Sequence, residues 1–213
     1  MQILLDHFPD LPADMRDRFA QLEPLYREWN ERINVVSRKD IDQLYKHHVL
    51  HSLALVRLLS LKPGSRVLDL GCGGGFPGIP LAIANPDVEF VLVDGRGKKI
   101  TVVNEVAQAV GLQNVTGIHT RVEDYKEGKE SFDFVVTRAV AQLPQLWSWA
   151  RPMLAKTDQH ALPNGLIAYK GGTKLRMKEE LASLHRSVYR EVYPIRDFFK
   201  DEYFWEKFVV YCN

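Results

Sequence analysis

Across residues 15–36 the apolar side chains Phe19, Leu22, Leu25, Tyr26, Trp29 and Ile33 recur every three or four positions, which predicts an amphipathic helix with one core-facing stripe. Leu44, Val49, Leu53, Val56, Leu58 and Leu59 continue that period and predict a second helical stretch, stopped by Pro63-Gly64. Beyond this break the period shortens. Residues 66–70 form an apolar run of the buried-strand type, followed by a glycine-rich turn and a helix from about Ile79. Strands are predicted over 90–93, 115–119 and 132–136, with a helix over 98–110 that Gly111 closes. A helix through Trp147, a strand over 166–169 and a helix through Leu181 come next. Runs 188–195 and 204–211 are expected to be strands joined by a short polar turn, hence an antiparallel pair. Strands alternating with helices predict an α/β, Rossmann-like fold. Its sheet would be mostly parallel with an antiparallel C-terminal strand, a helical cap occupying 1–60 and the main domain 61–213.

Composition narrows the class. The chain has 213 residues, 46% hydrophobic and 26% charged, ordinary values for one large globular domain or one domain plus a small appendage. No apolar run approaches the roughly 18 residues that cross a bilayer. Asp6 and Asp10 interrupt any secretory h-region, and the only cysteines, Cys72 and Cys212, cannot build a disulfide framework, so a cytoplasmic protein is expected. Net charge is +1, which does not announce a nucleic-acid binder. Its distribution is uneven: residues 1–31 carry seven acids against three bases, whereas 170–190 carry six bases against two acids. Arg96, Lys98 and Lys99 form a second basic knot. Such runs are either solvated helix faces or a surface for phosphates.

The segment from Asp69 to Gly78, Asp-Leu-Gly-Cys-Gly-Gly-Gly-Phe-Pro-Gly, follows a strand and opens a helix, where glycines let the backbone approach a nucleotide-like cofactor. Gly73-x-Gly75-x-x-Gly78 also fits the dinucleotide fingerprint, a weak signal alone. An acid two residues before the first glycine, in Asp69-x-Gly71-x-Gly73-x-Gly75, resembles instead motif I of class I S-adenosylmethionine (AdoMet) methyltransferases. Asp94 ends the second strand, where a carboxylate can accept the two ribose hydroxyls; the alternative is a turn residue before Gly95. Val122 and Glu123 follow the third strand, placed to cover adenine and take its amine. His47, His48 and His51 cluster on the second helix without the further ligands zinc requires, so no metal is expected. Cys72 lies inside the cofactor turn, which argues against a covalent nucleophile beside a substrate base. After the fourth strand the chain runs Thr137-Arg138-Ala139-Val140, without the Asp/Asn-Pro-Pro-aromatic tetrad that holds an exocyclic amine. An acceptor already nucleophilic when neutral, such as guanine N7, remains.

These residues together carry a family resemblance. Trp29-Asn30-x-x-x-Asn34, His48-x-x-x-Ser52, the Gly-Gly-Gly-Phe-Pro-Gly-Ile-Pro-Leu run ending at Leu81, Asp94 with Gly97-Lys98-Lys99, Arg121-Val122-Glu123, Thr137-Arg138-Ala139 and Lys170-Gly171 resemble the RsmG family. These are the bacterial 16S ribosomal RNA methyltransferases also called glucose-inhibited division protein B. The resemblance implies methyl transfer from AdoMet to N7 of one guanine in 16S ribosomal RNA, free or in a small-subunit particle. It implies cofactor contacts at Gly71, Phe76, Val122, Glu123 and Arg138, with Asp94 as the ribose acid and Gly73 in the same loop. Arg138 is expected to be the catalytic residue, standing between cofactor and base; an ion pair with Glu123 or Asp94 is the alternative. Lys98, Lys99 and Lys170 are expected on the RNA side, and the chain is expected to act as a monomer. Three departures stand out: His51 replaces an acid of the family's helix motif, 158–163 reads as a small insertion, and the C-terminal forty residues resemble the family only loosely. The competing functions are a small-molecule methyltransferase, with a closed apolar pocket and no basic rim, and a non-catalytic AdoMet- or RNA-binding regulator.

Overall fold

The strands read as continuous apolar runs because both faces of the sheet are covered. In the computed structural model, which describes residues 1–37, 39–126, 129 and 131–213, strand β1 spans Arg66–Leu70 and is flanked by β2 (Glu89–Asp94) and β4 (Phe134–Arg138). With β3 (Val115–His119), β5 (Gly165–Gly171), β6 (Arg190–Pro194) and β7 (Lys207–Cys212) they form a seven-stranded sheet of order β3-β2-β1-β4-β5-β7-β6. The first five strands run parallel, while β7 is antiparallel to both β5 and β6. Side chains alternate between two cores, as a period of two requires: Val67, Phe90, Leu92, Phe134, Val136 and Ile167 face one, and Leu68, Val91, Val93, Val135 and Leu166 the other. Asp69 is the exception, a carboxylate in an apolar row.

The first core also holds the N-terminal helices. Helix α1 (Gln2–His7) places Leu4 in it, and α2 (Ala13–Arg32) places Phe19, Leu22 and Tyr26 there, all fully buried. Pro24 lies inside α2 and cannot donate to the carbonyl one turn back; the Tyr45 hydroxyl instead lies within hydrogen-bond reach of the Phe19 and Ala20 carbonyls, at 2.9 and 3.3 Å. The helix ends at Arg32, short of the expected Val36, because the Asn30 side chain competes for the backbone: Oδ1 accepts from Val35 and Val36 N–H at 2.8 and 2.9 Å.

Helix α4 (Gly78–Ala84) and α5 (Gly97–Ala109) complete this side, α5 through Ile100, Val103, Val106 and Ala107 at helical spacing. Helix α6 (Leu143–Ala150) and α7 (Lys174–Ala182) cover the opposite face. The expected second helix is not one regular element: Leu44–Leu50 is wound as a π-helix and only Ala54–Leu58 (α3) is α-helical. The expected short polar turn between β6 and β7 is also wrong. Residues 195–206 contain two single-turn 3₁₀ segments, and Ile195, Phe199 and Phe204 along this stretch are completely buried, so apolar anchoring sets this connection. No helix among the described residues is long and apolar enough to cross a membrane.

Candidate active site

In an open parallel sheet the ligand crevice lies at the carboxyl ends of the strands, where neighbouring connections diverge to opposite faces; here that point is between β1 and β4. The glycine loop leaves β1 there. Gly71 and Gly73 have φ of +69° and +55°, the left-handed region that disfavours side chains. A Cβ on Gly71 would stand 2.6 Å from Val140 Cγ2, whereas nothing lies within 4 Å of one on Gly73. The loop is pinned from several sides. Gly71 and Cys72 N–H donate to Val93 O at 2.9 and 3.0 Å, Gly73 N–H donates to Asp94 Oδ2 at 2.9 Å, and the Tyr26 hydroxyl donates to Gly74 O at 2.6 Å.

Gly71, Gly73, Asp94, Val122, Glu123 and Arg138, all singled out from the sequence, line one cleft of about 530 Å³, within the range of small-molecule sites. Phe76 does not line it. That ring is 4% exposed and packs between Tyr26 and His48, with the Arg138 guanidinium 5.4 Å above its centre, so it supports the cleft from below. Asp94 uses both oxygens inside the chain, Oδ2 on Gly73 and Oδ1 on Arg96 N–H at 2.8 Å. The turn role is therefore real, and each oxygen keeps a second lone pair for a ligand. Asp69 Oδ2 accepts from Gly78 N–H at 2.8 Å and so holds the start of α4; its Oδ1 has no partner among the described residues. Burial pushes this carboxyl up to about 7.

A second cleft, of about 590 Å³, lies beside the first and shares Ala139 and Val140 with it. Ala139 has φ of +59°, the only non-glycine among the described residues in that region, a strain of about 1 kcal/mol concentrated on the lip between the clefts. Lys170 and Glu180 order this lip. They pair at 2.5 Å, while Lys170 Nζ donates to Ala141 O and Glu180 accepts from Leu143 N–H, both at 2.9 Å.

Arg138 forms no ion pair with Glu123 or Asp94 among the described residues. Its fork spans the π-helix, one nitrogen donating to His47 O at 3.2 Å and the other meeting His48 Nδ1 at 2.7 Å. Burial, then the neighbouring guanidinium, lowers His48 to about 3, so the ring is neutral. A donor facing Nδ1 requires the proton on Nε2, which has no partner among the described residues. The Tyr203 hydroxyl also donates to His47 O, at 3.3 Å, and Tyr169 donates to Ser52 O, tying the wide helix to the sheet's end. π-Turns of this kind recur at functional sites.

His51 sits in an aromatic cage, 5.6–6.0 Å from Tyr169, Tyr203 and Phe204, with both ring nitrogens unpartnered among the described residues. Burial holds its pKa well below the ordinary value. Among the described residues no three His, Cys, Asp or Glu groups converge as metal ligands, and burial pushes the Cys72 thiol far up, away from nucleophilic thiolate character. Of the expected RNA-side lysines, Lys98 is exposed. Lys99 instead donates to Asn34 O and Val35 O at 2.6 and 2.9 Å, fastening the end of α2 to α5, and Lys170 is committed to Glu180 and the lip. Sequence reasoning missed Tyr26, which reads only as part of an apolar stripe, and Ala139-Val140, whose backbone strain leaves no mark in composition.

Solved structures share the fold. A SAM-dependent methyltransferase from Aquifex aeolicus superposes with a TM-score of 0.60 at 14% identity, covering 83% of this chain and 98% of that one. M. jannaschii TYW2 in complex with AdoMet gives 0.56 at 16% identity, over 83% and 76%. In sequence the chain is 48% identical to the ribosomal RNA small subunit methyltransferase G of Bacteroides thetaiotaomicron over the whole of both chains. It is 50% identical to that of Porphyromonas gingivalis over 99% of this chain and 92% of the relative. The GidB profile, described as rRNA small subunit methyltransferase G, matches residues 16–194, and on this match and the end-to-end identity the chain belongs to the GidB family.

Proposed function

We propose that the protein transfers a methyl group from AdoMet to N7 of a guanine in 16S ribosomal RNA. The observation that carries this is the pair of clefts meeting at the strained lip Ala139-Val140, one lined by the glycine loop and Asp94, the other by Tyr169, Lys170 and Arg176. The residues present suit AdoMet. Gly73 opens without a neighbour onto the first cleft, Asp94 retains lone pairs for ribose hydroxyls, Val122 offers an apolar face and Glu123 an acceptor for adenine. When bound, AdoMet supplies a sulfonium methyl as electrophile. Guanine N7 attacks through a lone pair and needs no proton removed first, so the chain contributes orientation and electrostatics. Arg138, held at two points on the π-helix, keeps further N–H donors for the base edge or the cofactor carboxylate. Lys98 would meet phosphate directly, while Lys99 and Lys170 would act by fixing the cap and the lip. A small-molecule acceptor calls for a closed apolar pocket, whereas charged Lys170, Arg176, Glu179 and Glu180 line the second cleft. The reading places the chain in the cytoplasm, acting as a monomer on RNA or a small-subunit particle.

The test is transfer of labelled methyl from AdoMet to small subunits, naked 16S RNA and tRNA from a strain lacking the gene, followed by nucleoside analysis. Label in 7-methylguanosine of 16S RNA is the expected result. Label in another nucleoside, or none in any RNA, overturns the reading.

A further inference from the structure

Four large apolar side chains are exposed among the described residues: Val140 at 39%, Leu175 at 67%, Tyr189 at 55% and Trp205 at 60%. Three of them lie at the same end of the sheet. Val140 is on the lip between the clefts. Leu175 is in the first turn of α7, which starts just beyond the end of β5. Trp205 precedes β7 at the same end, because Gly171 pairs with Lys207 and Gly172 N–H donates to Glu206 O at 3.0 Å. Arg176, which lines the second cleft, lays its stem across Gly172, where a Cβ would come within 3.2 Å of its Cδ. Only Tyr189 lies at the opposite end, bonded to the chain terminus.

Exposed apolar side chains on one face, rimmed by charged residues, mark an interaction site where a lone one would not. The surroundings specify the partner's chemistry. Lys174, Arg176 and Lys178 are exposed and enter no ion pair among the described residues, and Lys207 lies 5.2 Å from the Tyr203 ring. Apolar faces interleaved with cations suit single-stranded nucleic acid, whose bases stack while its phosphates meet the cations. Glu202 and Glu206 share the loop with Trp205, so the contact at the indole itself is one of stacking, with charge supplied by α7.

We infer that Trp205, at the same end of the sheet as Leu175, is a stacking platform for an unpaired nucleotide of the RNA adjacent to the one entering the second cleft. This rests on the reading of the substrate as RNA. It makes Trp205 a substrate-positioning residue, acting on RNA affinity and leaving the cofactor site alone.

The experiment uses the full chain with AdoMet and two RNA probes: a labelled, unstructured oligoribonucleotide for direct binding, and small subunits lacking the methyl group for turnover. Trp205→Ala is expected to raise both the oligonucleotide Kd and the KM for subunits about tenfold, with kcat and AdoMet affinity within about twofold. The slope of log Kd against log salt should not change, and Trp205→Phe should recover most of the loss. Lys174→Ala with Arg176→Ala should instead flatten that slope. Unchanged Kd and KM in Trp205→Ala overturn the proposal. So does a phenylalanine variant as weak as the alanine one, which would make the contact something other than stacking. A raised KM for subunits with an unchanged oligonucleotide Kd also overturns it, assigning Trp205 to a ribosomal protein. If no variant methylates any RNA yet Trp205→Ala still weakens oligonucleotide binding, the platform stands and the proposed reaction falls.

Discussion

The two ends of the sheet bury polar groups in opposite ways. At the amino ends of β1 and β4, Asp133 accepts from Arg66 N–H and from Gln159 Nε2, both at 2.9 Å. Ser65 Oγ meets His160 Nε2 at 2.9 Å, and Asn164 Nδ2 donates to Ala155 O and Thr157 O, each at 3.0 Å. Only His160 Nδ1, 3.8 Å from Asp133 Oδ1, and Asn164 Oδ1 lack a hydrogen bond at this floor among the described residues. At the carboxyl ends, Asp69 Oδ1, His48 Nε2 and both nitrogens of His51 are unpartnered, and the backbone bends into the left-handed region at Gly71, Gly73 and Ala139. Buried polar groups normally find partners, and unmet ones concentrate where a ligand or a reaction requires them. One end of the sheet is closed for stability; the other is left open for function.

The sharpest break of that contrast is a substitution at the open end that abolishes binding without unfolding. Gly71→Glu places a Cβ against Val140 and demands φ of +69° from a carboxylate residue. Calorimetry should detect no AdoMet binding, a loss of at least about 10²-fold, while the circular dichroism remains that of a folded chain. Binding within tenfold of the unmutated protein would remove the glycine loop from the cofactor site. Next in size is Arg138→Lys. Lysine keeps the charge but cannot span His47 O and His48 Nδ1 together, so methyl transfer should fall on the order of 10²-fold. Near-normal turnover with a lowered Tm would make Arg138 a clamp for the π-helix and nothing more.

The two ends also differ in how legible they were in sequence. The alternation of strands and helices and the antiparallel C-terminal pair follow from apolar periodicity, and Gly71, Gly73 and Asp94 of the first cleft from glycines and an acid at strand ends, which are local signals; Val122, Glu123 and Arg138 were reached through their places after strands and the family resemblance. What could not be read arises from distant pairings. Lys99 looks like one more surface cation until its ammonium is found on the Asn34 and Val35 carbonyls. The π-helix carries an ordinary helical pattern, and its winding is tied to Arg138, Tyr169 and Tyr203 from strands and loops far along the chain. The apparent insertion at 158–163 supplies His160, and Gln159 with it, to the floor, a role that depends on Ser65 and Asp133.

Asp69 gives a pH test of the open end. Its carboxyl titrates near 7 in the fold, against 3.8 for the free group, with burial as the main cause. Between those values the native state holds a proton that the unfolded chain has lost, so this group subtracts stability as pH rises from about 4 to 7 and no further above. Asp69→Asn keeps an acceptor for Gly78 N–H and removes the titration. The Tm of the variant relative to the original should climb across that window and then level off. A difference independent of pH would show that Asp69 ionises as an exposed carboxylate does.

The smallest effect on activity is expected at the closed end. His160 Nε2 accepts from Lys62 N–H at 3.2 Å and so carries no proton there; burial lowers its pKa, leaving the folded ring neutral below the ordinary value of 6.5. Below that value the unfolded chain binds a proton that the native ring resists, so the stability His160 contributes is present above 6.5 and is lost as pH falls beneath it. His160→Ala deletes the acceptor for Lys62 N–H and the ring packed against Ser65 Oγ, and should cost about 1–3 kcal/mol at pH 7.5. At roughly 2–4 °C per kcal/mol for a chain of this size, the Tm falls by several degrees. His160→Gln, which can place an uncharged oxygen near Lys62 N–H, should lose less at pH 7.5 and less again at pH 5.5. Methyl transfer and AdoMet affinity at 25 °C should stay within about twofold in both, because the floor lies at the far edge of the sheet from the crevice. A floor variant that remains folded yet loses tenfold in turnover would show that the two ends are coupled through the strands, and the division between a closed, stabilising end and an open, reactive one would fail.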